Sequence, residues 1–148
     1  MSDFARTMPN MLRHEGEWEG IYRHVARDGT LLDQHRMWTR CEFPVGGPFA
    51  YVQHNRLNWA DGRSEERVFG GVYRDGMLHW DTDRLFGSGW ETREGSVMLR
   101  LDRKDLDRVH FIEMIHLSDD GATRARTWQW FERGVPTHRT LCDEWRVG

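Results

Sequence analysis

A carboxylate sits in the middle of the most apolar strand-like stretch of the chain. From Val109 to Phe131 the sequence reads VHFIEMIHLSDDGATRARTWQWF. Side chains alternate between faces along a strand, so Glu113 shares one face with Val109, Phe111, Ile115 and Leu117. If Asp120 and Gly121 form a two-residue turn, Glu113 falls opposite Trp128, with Arg126 and Trp130 on its diagonals. A type I turn with a glycine bulge slips the register and puts Glu113 opposite Thr127. A carboxyl beside a guanidinium and between indoles has two uses. Desolvation raises its pKa towards neutrality and suits it to acid-base chemistry or to anchoring a ligand. Alternatively, the pair is structural and fixes the register.

Other polar side chains fall in step with it. His24 and His35 flank the RDGT turn on neighbouring strands, close enough to shuttle a proton or to contact a polar ligand group. Tyr51, Gln53 and Asn55 form a stripe with period two, suited to hydrogen bonds with a phenol, carbonyl or carboxylate. The alternative phase would turn Ala50, Val52 and His54 inward, and Phe49, Leu57 and Trp59 favour the first. No H-x-H or H-x-x-x-H spacing marks a metal, and His110 and His116 stand roughly 20 Å apart along one strand. No metal site and no cofactor are expected. Asp81 and Asp83 in HWDTDR lie on a rim and do not form a glycosidase pair. Nucleophile elbow, phosphate loop and dinucleotide fingerprint are all missing. Any catalysis is then acid-base chemistry in a shaped pocket.

The elements that position these groups are short and frequent. RDGT, ADGR, RDGM, REGS, DDGA and ERGV supply the positive φ of tight turns. Between them the sequence predicts strands over 16–26, 31–43, 49–59, 64–74, 77–83, 88–93, 96–102, 108–117, 122–132 and 137–147. With no long crossover, this is an all-β, antiparallel up-and-down barrel of about 8–10 strands, a single domain over residues 1–148. Asp3 to Leu12 is the one helical segment, kept short by Pro9.

The faces of these strands mix aromatic and polar residues. A barrel filled only for stability would use Val, Leu and Ile, because buried polar groups cost free energy unless paired. The inner faces instead combine Trp18, Tyr22, Met37, Tyr73, Trp80, Trp128 and Trp130 with His24, His35, Tyr51, Gln53, Asn55, Glu113 and Arg126. Eight tryptophans in 148 residues exceed what a compact core readily uses and suit an aromatic-lined ligand cavity. The net charge of -3, with arginines scattered among acids, gives no nucleic-acid footprint. No apolar run approaches the roughly 20 residues of a membrane span. Two cysteines without metal-type spacing, and a start without a signal-like apolar core, predict a reduced, cytoplasmic protein.

The opening NMLRHEGEWEGIYRHV, Asn10 to Val25, resembles a bacterial, largely cyanobacterial, domain family of unknown function in the calycin superfamily. That family's pattern N-x-L-x-H-x-G-x-W-x-G is met by Asn10, Leu12, His14, Gly16, Trp18 and Gly20, with Tyr22 as the aromatic that follows. Gly16-x-Trp18 is also similar to the Gly-x-Trp of lipocalins, whose tryptophan closes one end of the barrel against an arginine. Arg139 and Arg146 are the two candidates for that partner. The resemblance implies a ligand-holding barrel and leaves the activity open, since calycins include lipid, pigment and haem carriers, bilin lyases and small-molecule enzymes.

The expectation is a lipocalin-like barrel that binds a small aromatic or hydrophobic molecule and acts on it without a cofactor, as an isomerase, cyclase or lyase in small-molecule metabolism. Glu113, His35 and Tyr51 are the catalytic candidates. The alternative is a carrier or sensor, with a tetrapyrrole or haem among its ligands. A third class is a structural β-domain whose tryptophans cover a homodimer interface.

Overall fold

Ten antiparallel strands close into one barrel in the computed structural model, which describes residues 1–148. They are β1 (Gly16–Ala26), β2 (Leu31–Glu42), β3 (Tyr51–Asn58), β4 (Ser64–Arg74), β5 (Met77–Asp81), β6 (Leu85–Glu91), β7 (Val97–Arg103), β8 (Val109–Leu117), β9 (Thr123–Glu132) and β10 (Val135–Val147). Each pairs with its neighbours in the chain, and β1 also pairs with β10, so no strand edge stays open. This is the all-β up-and-down barrel that the turn spacing predicts. β6 begins earlier than expected, at Leu85. Thr82 Oγ1 accepts the N–H groups of Arg84 and Leu85 at 3.1 and 2.9 Å, making a tight turn without a glycine to announce it.

The period-two pattern fixes which side chains face inward. Trp18 and Tyr22 of β1, His35 and Met37 of β2, and Tyr51, Gln53 and Asn55 of β3 are buried. Phe49 breaks the expected pattern. It precedes β3 and is 41% exposed, lying over Gly70, where a Cβ would come within 2.6 Å of its ring.

One end of the barrel is closed by the N-terminal segment. Helices α1 (Asp3–Thr7) and α2 (Pro9–Leu12) cross it and seat Met8 and Met11 in the core. Glu91 clips them in place, accepting from the Met11 N–H at 2.6 Å and from Asn10 Nδ2 at 3.3 Å. Trp18, fully buried, donates its indole N–H to the His14 carbonyl at 2.9 Å. Arg146 covers the Trp18 ring at 4.3 Å and donates to the carbonyls of Arg13, Glu15 and Gly121. It is therefore the arginine that locks the Gly-x-Trp end, and Gly16 leaves the space its guanidinium passes through, since a Cβ there would lie 2.8 Å from Nη1. Helical end, tryptophan and arginine together stop one mouth of the barrel and leave the other for access. No helix is long and apolar enough to cross a membrane.

Candidate functional site

Towards the unstopped end the lumen opens into a cavity of about 170 Å³. Of the side chains expected at a ligand site, Tyr22, His35, Met37, Gln53, Asn55, Trp80, Glu113, Arg126, Trp128 and Trp130 line it. Four others stand elsewhere. Trp18 is part of the closed end. Tyr51 is the first residue of β3, which enters the barrel at that end, and its hydroxyl donates to Gln53 Oε1 at 2.7 Å. Tyr73, near the end of β4, stacks on Phe4 at 5.0 Å and donates to Asp3 Oδ2 at 2.6 Å. His24 lies beyond the cavity wall, at the rim. Position along the strand, which alternation does not report, decides all four.

The hairpin of β8 and β9 takes the register that places Glu113 opposite Trp128. Its turn is wider than two residues, with Ser118 N–H bonded to the Thr123 carbonyl at 2.9 Å, yet the pairing above it is the same. Glu113 accepts from Arg126 Nε at 2.7 Å, with both side chains almost wholly buried. Arg126 also lies 3.6 Å from Glu144 Oε1, and Arg124 binds Glu144 at 2.8 and 3.2 Å. Arg124 donates onward to His14 Nδ1 at 3.1 Å. Two carboxylates and two guanidiniums thus alternate from the closed end up to the cavity, so the charges compensate along the chain. Burial pushes the Glu113 carboxyl above its usual range, opposed by Arg126 and by the nearby Trp128 N–H. Burial works the same way on Glu144, but Arg124 and Arg126 outweigh it and hold that carboxyl low.

A second group forms where β1 and β2 leave the barrel. His24 pairs with Asp33 and Tyr22 with His35 across the ladder, bringing the two imidazole rings to 5.6 Å. His35 Nδ1 lies 3.4 Å from Asp33 Oδ2, and Trp59 Nε1 donates to both Asp33 oxygens at 3.1 and 3.2 Å. Thr140 Oγ1 bonds His24 Nδ1 at 2.8 Å and accepts the Trp130 indole N–H at 2.9 Å. Donor atoms of His24, Asp33 and His35 lie within 4.8 Å of one another. Spacing along a single strand does not reveal this grouping, because its members are neighbours across a hairpin.

Most of the buried polar atoms that lack a hydrogen-bond partner belong to the cavity wall. Tyr22 Oη, His35 Nε2 and Trp128 Nε1 belong to wall residues, as does Arg126 Nη1, whose one contact is the 3.6 Å ion pair with Glu144, while a fifth such atom, His14 Nε2, lies at the closed end. Orphans of this kind are rare because each costs roughly 1–3 kcal/mol. Burial keeps Tyr22 protonated by raising its pKa, against the pull of Arg126. The wall therefore offers an indole N–H, a guanidinium N–H and a hydroxyl around Glu113, with an imidazole nitrogen on the β2 side. Aromatic rings close the remainder: Trp128 stacks on Phe111 at 5.1 Å and meets Tyr22 edge-on at 5.7 Å. At the mouth Arg67, Arg84 and Arg103 join the lining, tied to Glu65 or Asp105.

Sequence reasoning misses Asp33, Arg124, Thr140 and Glu144. The signal was present, since Asp33 is in phase with His35, Arg124 with Arg126, and Thr140 and Glu144 with the inward Cys142. Cys41 and Cys142 are both buried and free.

No family model and no curated protein matches this chain. Solved structures do. The S-type phycobiliprotein lyase CPES from Guillardia theta superposes with a TM-score of 0.75 at 13% identity, covering 100% of this chain and 99% of that one. A protein of unknown function from the DUF3598 family of Nostoc punctiforme gives 0.73 at 18% identity, over 93% of this chain and 49% of that one. Rv2717c from M. tuberculosis gives 0.63 at 18% identity, over 99% and 100%. At such identities the likeness is one of fold, a closed antiparallel barrel.

Proposed function

We propose that the barrel binds a small organic molecule with an oxygen function in its lumen and acts on it by acid-base chemistry centred on Glu113. The observation that carries this reading is that four wall residues of one cavity each have a buried polar atom without a hydrogen bond, Arg126 Nη1 keeping only its long contact to Glu144, and that the same cavity holds a buried carboxyl. A ligand oxygen satisfies the Trp128, Arg126 and Tyr22 donors together, which offsets the cost of leaving them bare. The same donors stabilise negative charge that develops on that oxygen. Glu113 takes a proton from the adjoining carbon and returns it at another position or to a leaving group, so isomerisation, cyclisation and elimination all fit. Its raised pKa suits it to both steps. His35 offers a further polar contact. The lyase among the fold relatives supports lumen chemistry of this class.

The volume bounds the ligand. A cavity of about 150 Å³ encloses one benzene-sized ring, so about 170 Å³ takes a ring with small substituents. A tetrapyrrole would be enclosed only in part and would extend across the mouth. That arrangement belongs to the carrier reading, which the prior commitment of Glu113 to Arg126 favours.

Tryptophan fluorescence, with aromatic and polyketide-like compounds added in turn, tests the proposal. Quenching by a compound whose turnover is lost in Glu113→Gln, while its binding survives, is the expected result. No quenching by any compound overturns the ligand site. An unchanged affinity and turnover in the variant overturns the role of Glu113.

A further inference from the structure

The cluster at the rim adjoins the Glu113 cavity, sharing His35 with it, and has a chemistry of its own. Asp33 and His35 follow each other on the inner face of β2, and His24 faces Asp33 from β1. Two imidazoles and one carboxylate are a donor set used by zinc and iron(II) sites that keep open coordination positions. Bonds of about 2.1 Å in a tetrahedral site put donors about 3.4 Å apart. The donors here lie within 4.8 Å of one another, and side-chain rotation closes that difference.

The surroundings are those of a supported site. Thr140 holds His24 by Nδ1, leaving Nε2 as the nitrogen available to a ligand, and Trp130 holds Thr140 in turn. Trp59 fixes the Asp33 carboxylate through its indole N–H. Outer partners of this kind set ligand orientation in metal sites. His35 has a nitrogen to spare, because its buried Nε2 is unpartnered and its Nδ1 makes only the 3.4 Å contact to Asp33. We infer that His24, Asp33 and His35 bind a divalent first-row metal ion at the mouth of the lumen. One carboxylate against a divalent ion leaves a net positive charge. The open coordination positions therefore favour water or an anionic or carbonyl oxygen of a ligand. This goes beyond the proposed acid-base function and needs neither Glu113 nor turnover.

Calorimetric titration of chelator-stripped protein with Zn²⁺, with Co²⁺ visible absorption as a second readout, tests it. One ion per chain with a dissociation constant below about 10 µM is expected. His24→Gln and Asp33→Asn should each weaken binding by at least about 100-fold, and Thr140→Val by the roughly 10–100-fold cost of losing an outer partner. Glu113→Gln should leave the affinity unchanged. Circular dichroism checks that each variant is folded. Absence of stoichiometric binding overturns the inference, as does binding that survives both ligand substitutions, which would put the ion on His138 beside His24 (ring centroids 6.2 Å apart). If the ion does not bind but a lumen ligand still quenches fluorescence, the acid-base proposal stands alone. Metal binding without any such quenching gives the converse.

Discussion

Trp128 shows how one side chain can serve both packing and recognition. Its ring is packed against Phe111 and Tyr22, while its indole N–H, close enough to Glu113 to draw that carboxyl's pKa down, completes no hydrogen bond within the chain. The first property is what a core aromatic needs, and the second costs free energy unless something outside the chain supplies an acceptor. Trp128→Phe separates them, keeping most of the apolar contact and removing the donor. For a ligand that places an oxygen at this site, affinity should fall about fivefold, the equivalent of a net hydrogen bond near 1 kcal/mol. A hydrocarbon ligand of the same shape should lose much less. Fluorescence titration of the two ligands against both proteins gives the comparison. Equal losses would mean that the ring, not its N–H, makes the contact.

At the scale of elements, the pairing of β1 with β10 makes room for the buried charges. Gly20 lies opposite Glu144, and a Cβ at position 20 would come to 2.5 Å from Glu144 Cγ and 2.8 Å from the Asp143 carbonyl oxygen. Those atoms have nowhere to go, because Glu144 is tied to Arg124 by two hydrogen bonds. Gly20→Ala should therefore destabilise the barrel by about 3 kcal/mol or more, through overpacking and a disturbed buried ion pair. Urea unfolding measures this, and a change below about 0.5 kcal/mol, the range of ordinary surface substitutions, would show that the chain of charges yields to the methyl group. This dependence also explains what the sequence made legible. Alternation assigned Tyr22 to the inside, and the β8 to β9 hairpin offered Trp128 as one of two partners for Glu113, because both facts are local. The partnership of Arg124 with Glu144 is less visible because the β9 to β10 pairing shifts register between Pro136 and Arg139. The open end was not legible either. It depends on residues 3–12 folding under strands far from them in sequence, which no pattern within one strand reports.

The whole molecule joins a lumen site to a closed end through a column of buried ionisable groups, and its stability should depend on pH accordingly. His14 is the lowest member. Burial, together with the charges of Arg124, Arg126, Arg146 and Arg13, pushes its pKa down to about 2, against about 6.5 in an unfolded chain. Between these values the unfolded state binds a proton that the folded state refuses, so stability rises with pH and is lost as pH falls below about 6.5. His24 and His138 are also depressed and act in the same direction. Glu144, held low, adds a further loss below the ordinary carboxylate range. Glu113, held high, partly offsets it, because there the folded state takes up the proton first. A single fully depressed histidine contributes a slope of up to about 1.4 kcal/mol per pH unit. Urea midpoints at pH 7.5, 6.5, 5.5 and 5.0, read by far-ultraviolet circular dichroism, should show stability declining from the second of these onward. In His14→Gln the decline between pH 6 and pH 5 should be shallower by about 1 kcal/mol, whatever the substitution does to stability at pH 7.5. Parallel profiles for the two proteins would mean that His14 takes up its proton without unfolding, and that the closed end is more open to water than its burial indicates.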